Sequence, residues 1–157
     1  IYDGASLTLH DPAGKSYATV AAPGTLEQML DFAREKLDVV APAGDLLYKN
    51  AYEILMEHVT EGSLVGKGVV DGVGCAHLAF RTRLVDWQVW IQDGAKPLPR
   101  KLVITSRDML NAPQFTVVVK NWDLAPAFSA ETFSFKPSLD LQKLEFLGMG
   151  GDGPKAQ

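Results

Sequence analysis

The chain has little of what usually announces chemistry. It holds one cysteine, Cys75, so no intrachain disulfide can form. That excludes a disulfide-stapled scaffold but leaves the compartment open, because a reducing environment and an exported protein that needs no staple both fit. No apolar run approaches the roughly 18 residues that a helix needs to cross a bilayer. Positive charge is scarce as well: 15 Lys and Arg stand against 19 Asp and Glu, a net charge of -4. A nucleic-acid binder normally carries a basic stripe to neutralise phosphates, so nucleic acid is not an expected partner. Gly-x-Ser-x-Gly, His-Glu-x-x-His and Gly-x-Gly-x-x-Gly are absent. Gly62-Ser63-Leu64-Val65-Gly66-Lys67-Gly68 only imitates a phosphate loop. It has three residues between its glycines instead of four, Gly68 where a hydroxyl should hold magnesium, and a strand after it instead of a helix. It reads as a Gly-rich strand that bends or approaches another backbone closely.

What is present describes a soluble fold. Hydrophobic residues make up 46% and charged residues 22% of 157 residues, which is enough for one domain with a real core. We expect a single domain over 1–147 and a disordered Gly-rich tail over 148–157. The chain opens without Met on a strand-like segment and reads as a mature or truncated product. The missing export signal therefore excludes no compartment.

Leu7 and Leu9 alternate with Ser6, Thr8 and His10. Asp11-Pro12-Ala13-Gly14 signals a turn, and Tyr17, Thr19 and Val20 form strands well, so Ile1 to Val20 reads as a hairpin. Thr25 and Gln28 stand at capping-box spacing, and Leu26, Met29, Leu30, Ala33 and Leu37 recur at helical spacing. Asp45 to Tyr48 reads as one helical turn. Asn50, with Glu53 three positions on, should cap a second helix whose apolar side is Tyr52, Leu55, Met56 and Val59. From Thr60 the chain is nearly all strand: 63–70, 75–83, 86–92, 100–107 and 114–124, with Phe133 to Phe135 as a last short strand. Asp71-Gly72, Asp93-Gly94 and Asn111-Ala112-Pro113 separate the longer strands, the pattern of an antiparallel meander. Pro97 and Pro99 cannot donate ladder hydrogen bonds, so the strand after them should start properly near Arg100.

The strand faces carry the functional expectation. Trp87, Val89 and Ile91 lie opposite Gln88, Trp90 and Gln92, and Phe115 and Val117 lie opposite Thr116 and Val118. Several strands are apolar on both sides, which a flat sheet with one wet face does not need. The expected fold is α+β: a curled antiparallel sheet, an incomplete barrel, with two or three helices inserted against one face.

Among residues that could do chemistry, Cys75 and His77 share a strand face and could form a thiolate–imidazole pair. The plainer reading is a small buried thiol and a histidine on a polar face. No carboxylate shows the spacing to complete a metal site. Arg81, Arg83, Arg100, Lys101 and Arg107 could meet an anionic head group; otherwise they form a solvated face that discourages edge pairing.

A set of segments then points to a family. Tyr2-Asp3-Gly4 with Leu7-Thr8-Leu9, Ala22-Pro23-Gly24-Thr25, Ala43-Gly44-Asp45-Leu46-Leu47-Tyr48, Val70-Asp71-Gly72-Val73 with Cys75 and His77 to Phe80, and Asp86 to Ile91 resemble an uncharacterised family of bacterial predicted periplasmic proteins. Pro97 to Thr105 is the strongest match. The resemblance implies the lipoprotein-carrier fold of LolA and LolB, strands upstream of Tyr2, and the periplasm or outer-membrane periphery of a Gram-negative bacterium. The expected role is a non-enzymatic binding protein without cofactor or metal, which holds a lipid, acyl chain or lipoprotein. Trp87, Val89, Ile91, Leu102, Ile104, Phe115 and Val117 would form the wall, and Met29, Leu30, Leu55 and Met56 the lid. Membrane association and a homodimer through an exposed sheet edge are compatible with it. The alternatives are a protein-interaction or sensory module and a hydrolase using Cys75 or His77.

Overall fold

The computed structural model describes residues 1–39, 41–129 and 131–146. The tail expected to be disordered lies outside them. The chain forms two units, Ile1–Ala41 with Pro126 onward, and Pro42–Ala125.

In the first unit β1 (Ser6–Asp11) and β2 (Ser16–Ala21) make the expected hairpin, with Leu7 opposite Val20 and Thr8 opposite Thr19. The Asp11 carboxylate accepts from the backbone N–H groups of Ala13 and Gly14 and closes the turn, a local bond that aspartate forms readily. Helix α1 (Leu26–Leu37) begins at Thr25, whose hydroxyl accepts from Gln28 N as capping-box spacing predicts. Met29 and Ala33 point into a core with Leu7, and Leu30, Leu37, Tyr2 and Val20 pack around it.

Phe133 to Phe135 does not form the expected strand. Phe135 instead packs its ring against His10 and Tyr17, at 5.4 and 5.2 Å between centroids. The added strand is β8 (Gln142–Leu144), which pairs parallel with β2. Parallel pairing with a strand far away in sequence leaves no local turn signal to read.

Near the start of this unit, Asp3 accepts from the N–H groups of Ala5 and Ser6 and from the Ser6 hydroxyl. These bonds, the Ala5 N–H first, hold its carboxyl below the ordinary aspartate range. Because the folded value is depressed, the contribution is present above the unfolded value and is lost as pH falls through the folded one. An NMR titration should therefore find the Asp3 midpoint below that of a free aspartate. Ser6→Ala should move it upward, and an unchanged midpoint in that variant would remove the hydroxyl from the account.

In the second unit five strands form an antiparallel meander in sequence order: β3 (Glu61–Val70), β4 (Val73–Arg81), β5 (Val85–Gln92), β6 (Pro99–Ser106) and β7 (Gln114–Val118). Asp71 and Gly72 take positive φ, 49° and 77°, the backbone that a two-residue hairpin turn requires. The strands thus divide into a three-stranded and a five-stranded sheet, neither closed into a barrel, where one curled sheet was expected. Helix and turn between β2 and β3 interrupt the pairing.

A 3-10 turn (Gly44–Leu47) and the short helix α2 (Ala51–Met56) belong to the second unit. Asn50 stands at the N-cap, but its side chain makes no capping bond. Tyr52, expected on the apolar side of α2, is 72% exposed, because six residues give the helix too few turns to bury every apolar position. Strand β7 ends at Val118 instead of Leu124, and Asn121 shortly beyond it has φ 52°. Strand β6 starts at Pro99, but its ladder slips between Trp90 and Ile91, in keeping with prolines that cannot donate.

Candidate functional site

The two faces of the five-stranded sheet differ sharply. One rung runs Leu64–Leu78–Val89–Leu102–Val117, aliphatic on all five strands. The next runs Gly62–Phe80–Trp87–Ile104–Phe115. Phe80 and Trp87 stack at 4.1 Å. Gly62 is what lets Phe80 lie there: a Cβ on it would come within 3.0 Å of the ring. Trp87, Val89 and Leu102 are the buried centre of this face, and Leu46, Leu55, Met56 and Val59 pack onto it from the 3-10 turn, α2 and the residues after it.

Of the wall residues expected from sequence, Trp87, Val89, Ile91, Leu102 and Ile104 meet in this cluster together with Leu55 and Met56. Phe115 and Val117 extend the same rungs onto β7, where Phe115 is 40% exposed. Met29 and Leu30 lie instead in the core of the first unit.

Leu64, Leu78 and Phe80 belong to this face and were missed. For Leu78 and Phe80 the signal was plain alternation along β4, whereas for Leu64 it is hidden by a β-bulge between Leu64 and Gly66. With one extra residue there, Leu64 and Lys67 share a face although three apart, so plain alternation fails. The Gly-rich stretch does bend, and Gly68 makes room for an indole rather than a backbone: a Cβ there would meet Trp90 Nε1 at 3.1 Å.

The opposite face is mixed, with polar and charged side chains around the buried Cys75 and Val103. Its rungs are His77–Trp90–Lys101–Val118, Ala79–Gln88–Val103–Thr116 and Arg81–Asp86–Thr105–Gln114. His77 stacks on Trp90 at 3.9 Å and its Nε2 bonds Gln88 Oε1 at 2.8 Å. Arg81 pairs with Asp86 and Glu61, which raise its pKa further, and Arg107 shares Asp86. A cleft of about 630 Å³ borders Thr60 to Ser63, Ala79 to Arg81 and Asp86 to Gln88. Its lining is mixed: the Ser63–Ala79–Gln88 and Glu61–Arg81–Asp86 rungs supply polar groups, and Gly62, Phe80 and Trp87 belong to the apolar rung between them.

Cys75 is fully buried, and its thiol donates to Val73 O at 3.3 Å. A thiol so enclosed should react with a disulfide reagent only when the sheet opens. Labelling should therefore be slow in buffer and accelerate steeply in denaturant; rapid native labelling would contradict this burial. Trp122 is 39% exposed and donates its indole N–H to Pro99 O. Among the described residues no cluster of three or more His, Cys, Asp or Glu could hold a metal.

A family model described as Predicted periplasmic protein (DUF2092) matches residues 1–147. No curated protein and no solved structure matches the chain.

Proposed function

Because the chain belongs to this family of predicted periplasmic proteins, we propose that it is a non-enzymatic binding protein of the periplasm that holds an acyl chain against the apolar face of its five-stranded sheet. The acyl chain is that of a lipid or a lipoprotein, and the sheet with its short helical cover works as a lipoprotein-carrier-like cradle. One observation carries the reading. The aliphatic rung crosses all five strands, but both rims of that face stay exposed: Leu64 at 67% on β3 and Phe115 at 40% on β7. Exposed apolar rims flanking a small cover are where an apolar ligand gains most by burial, at about 25 cal/mol per Å².

Native mass spectrometry of protein purified from periplasm without detergent tests it. Adducts that organic extraction identifies as acyl species are the expected result. Protein that purifies without adducts, and takes up no fatty acid when offered one, would sink the proposal.

One feature favours a second reading, a docking edge for a partner polypeptide. Strand β3 is an outer strand of its sheet and exposes Leu64, Val65 at 57% and Val69 at 72%. An edge so apolar lacks the usual charged protection, since its Lys67 is engaged by Asp93 at 2.6 Å.

A further inference from the structure

Two neighbouring cations on the mixed face differ from the others on this sheet. Lys67 pairs with Asp93, Arg81 with Glu61 and Asp86, and Arg107 with Asp86. Arg100 and Lys101, at the start of β6, have no carboxylate partner among the described residues, yet both are half-buried. Their partners are neutral. Arg100 Nε donates to Gln92 Oε1 at 2.8 Å, and Lys101 Nζ lies 4.7 Å from the centroid of Trp90. Gln92 fixes one edge of the guanidinium and the indole face steadies the ammonium, but neither neutralises a charge. The remaining guanidinium N–H groups and the ammonium hydrogens are left for an acceptor. A guanidinium fork beside a point cation suits a phosphate or carboxylate, which takes paired hydrogen bonds from the one and charge from the other.

We infer that Arg100 and Lys101, held by Gln92 and Trp90, form a binding site for a phosphate- or carboxylate-bearing ligand. It lies on the face opposite the apolar rungs and does not depend on the acyl-binding proposal. The anion is either a small soluble one or the head group of an anionic lipid, and two arms of one experiment separate these sources.

In the first arm, inorganic phosphate is titrated into isotope-labelled protein while the Arg100 Nε and Trp90 Nε1 resonances are followed. In the second, the protein is sedimented with vesicles of phosphatidylcholine alone or mixed with phosphatidylglycerol. Saturable shifts with phosphate support a soluble anion, and sedimentation only with the anionic vesicles supports a head group. In either case Arg100→Gln and Lys101→Gln should each weaken binding by about tenfold, the worth of one charge-assisted bond. Arg100→Lys, which keeps the charge and loses the fork, should weaken it as well and serves if the glutamine variant fails to fold. Lys67→Gln should leave binding unchanged. The inference is overturned if neither probe binds, if the Arg100 and Lys101 variants bind as well as the unaltered protein, or if Lys67→Gln weakens binding as much as they do.

Discussion

Replacing Trp87 with alanine should remove about 3–5 kcal/mol of unfolding free energy from the second unit, the usual cost of emptying a large buried aromatic site. Trp87 is 8% exposed, stacks on Phe80 and sits among Val89 and Leu102 at the centre of the apolar face. Its strand neighbours Val89, Leu102 and Ile104 are tied to the sheet ladder and cannot move into the space without breaking the rungs. Part of the loss belongs to the ring pair and not to area. A double-mutant cycle with Phe80→Leu should return a coupling of roughly 0.5–1.5 kcal/mol. Tryptophan fluorescence during urea unfolding suits the measurement, since Trp87, Trp90 and Trp122 all belong to Pro42–Ala125, and the latter two remain to report in the variant. A loss under about 1 kcal/mol, the scale of an ordinary surface change, would mean that Trp87 is not the keystone described here.

Rim substitutions should behave in the opposite way. Phe115→Asp and Leu64→Asp alter residues that are already 40% and 67% exposed on outer strands. Their effect on unfolding free energy should stay within about 1 kcal/mol. Acyl-chain affinity should fall by roughly tenfold to a hundredfold, because burying such a side chain against a ligand is worth about 1.5–3 kcal/mol and a carboxylate adds a desolvation cost. Fluorescent fatty-acid displacement would measure this. Two rim variants that bind as tightly as the unaltered protein would move the ligand off this face. Paired with the Trp87 result, the comparison separates residues that hold the sheet together from residues that hold its ligand.

Much of this site is legible in the amino-acid sequence, and the reasons are local. Thr25 and Gln28 announced α1 because a cap is a bond between near neighbours. Asp71-Gly72 announced the first hairpin of the meander because few other residue pairs accept that backbone. Strict alternation in Val85–Gln92 put Trp87, Val89 and Ile91 on one face and Trp90 on the other, as observed.

What was not legible depends on partners far away in sequence. The parallel pairing of β8 with β2 joins Gln142 to Ser16 with no turn between them. The bulge at Leu64 and Gly66 shifts the phase of β3, so Leu64 joins the aliphatic rung by a rule that alternation cannot supply. Helix α1 has the same amphipathic pattern whichever sheet it covers. Periodicity therefore showed that Met29 and Leu30 face a core, but not that the core is the one around Leu7. The matched family supplies the periplasmic location, which agrees with the expectation from sequence. The acyl ligand rests on the rims of one sheet face.

The most direct test of that ligand is to ask where the chain lies. In a Trp90→Phe, Trp122→Phe protein, Trp87 is the sole tryptophan. Titration with a fatty acid brominated along its chain should quench its fluorescence by contact, while the unbrominated acid should not. Saturable quenching that Phe115→Asp weakens is the result predicted here. Bromoacyl binding that leaves Trp87 fully emissive at saturation, or no binding, would contradict an acyl site on this face.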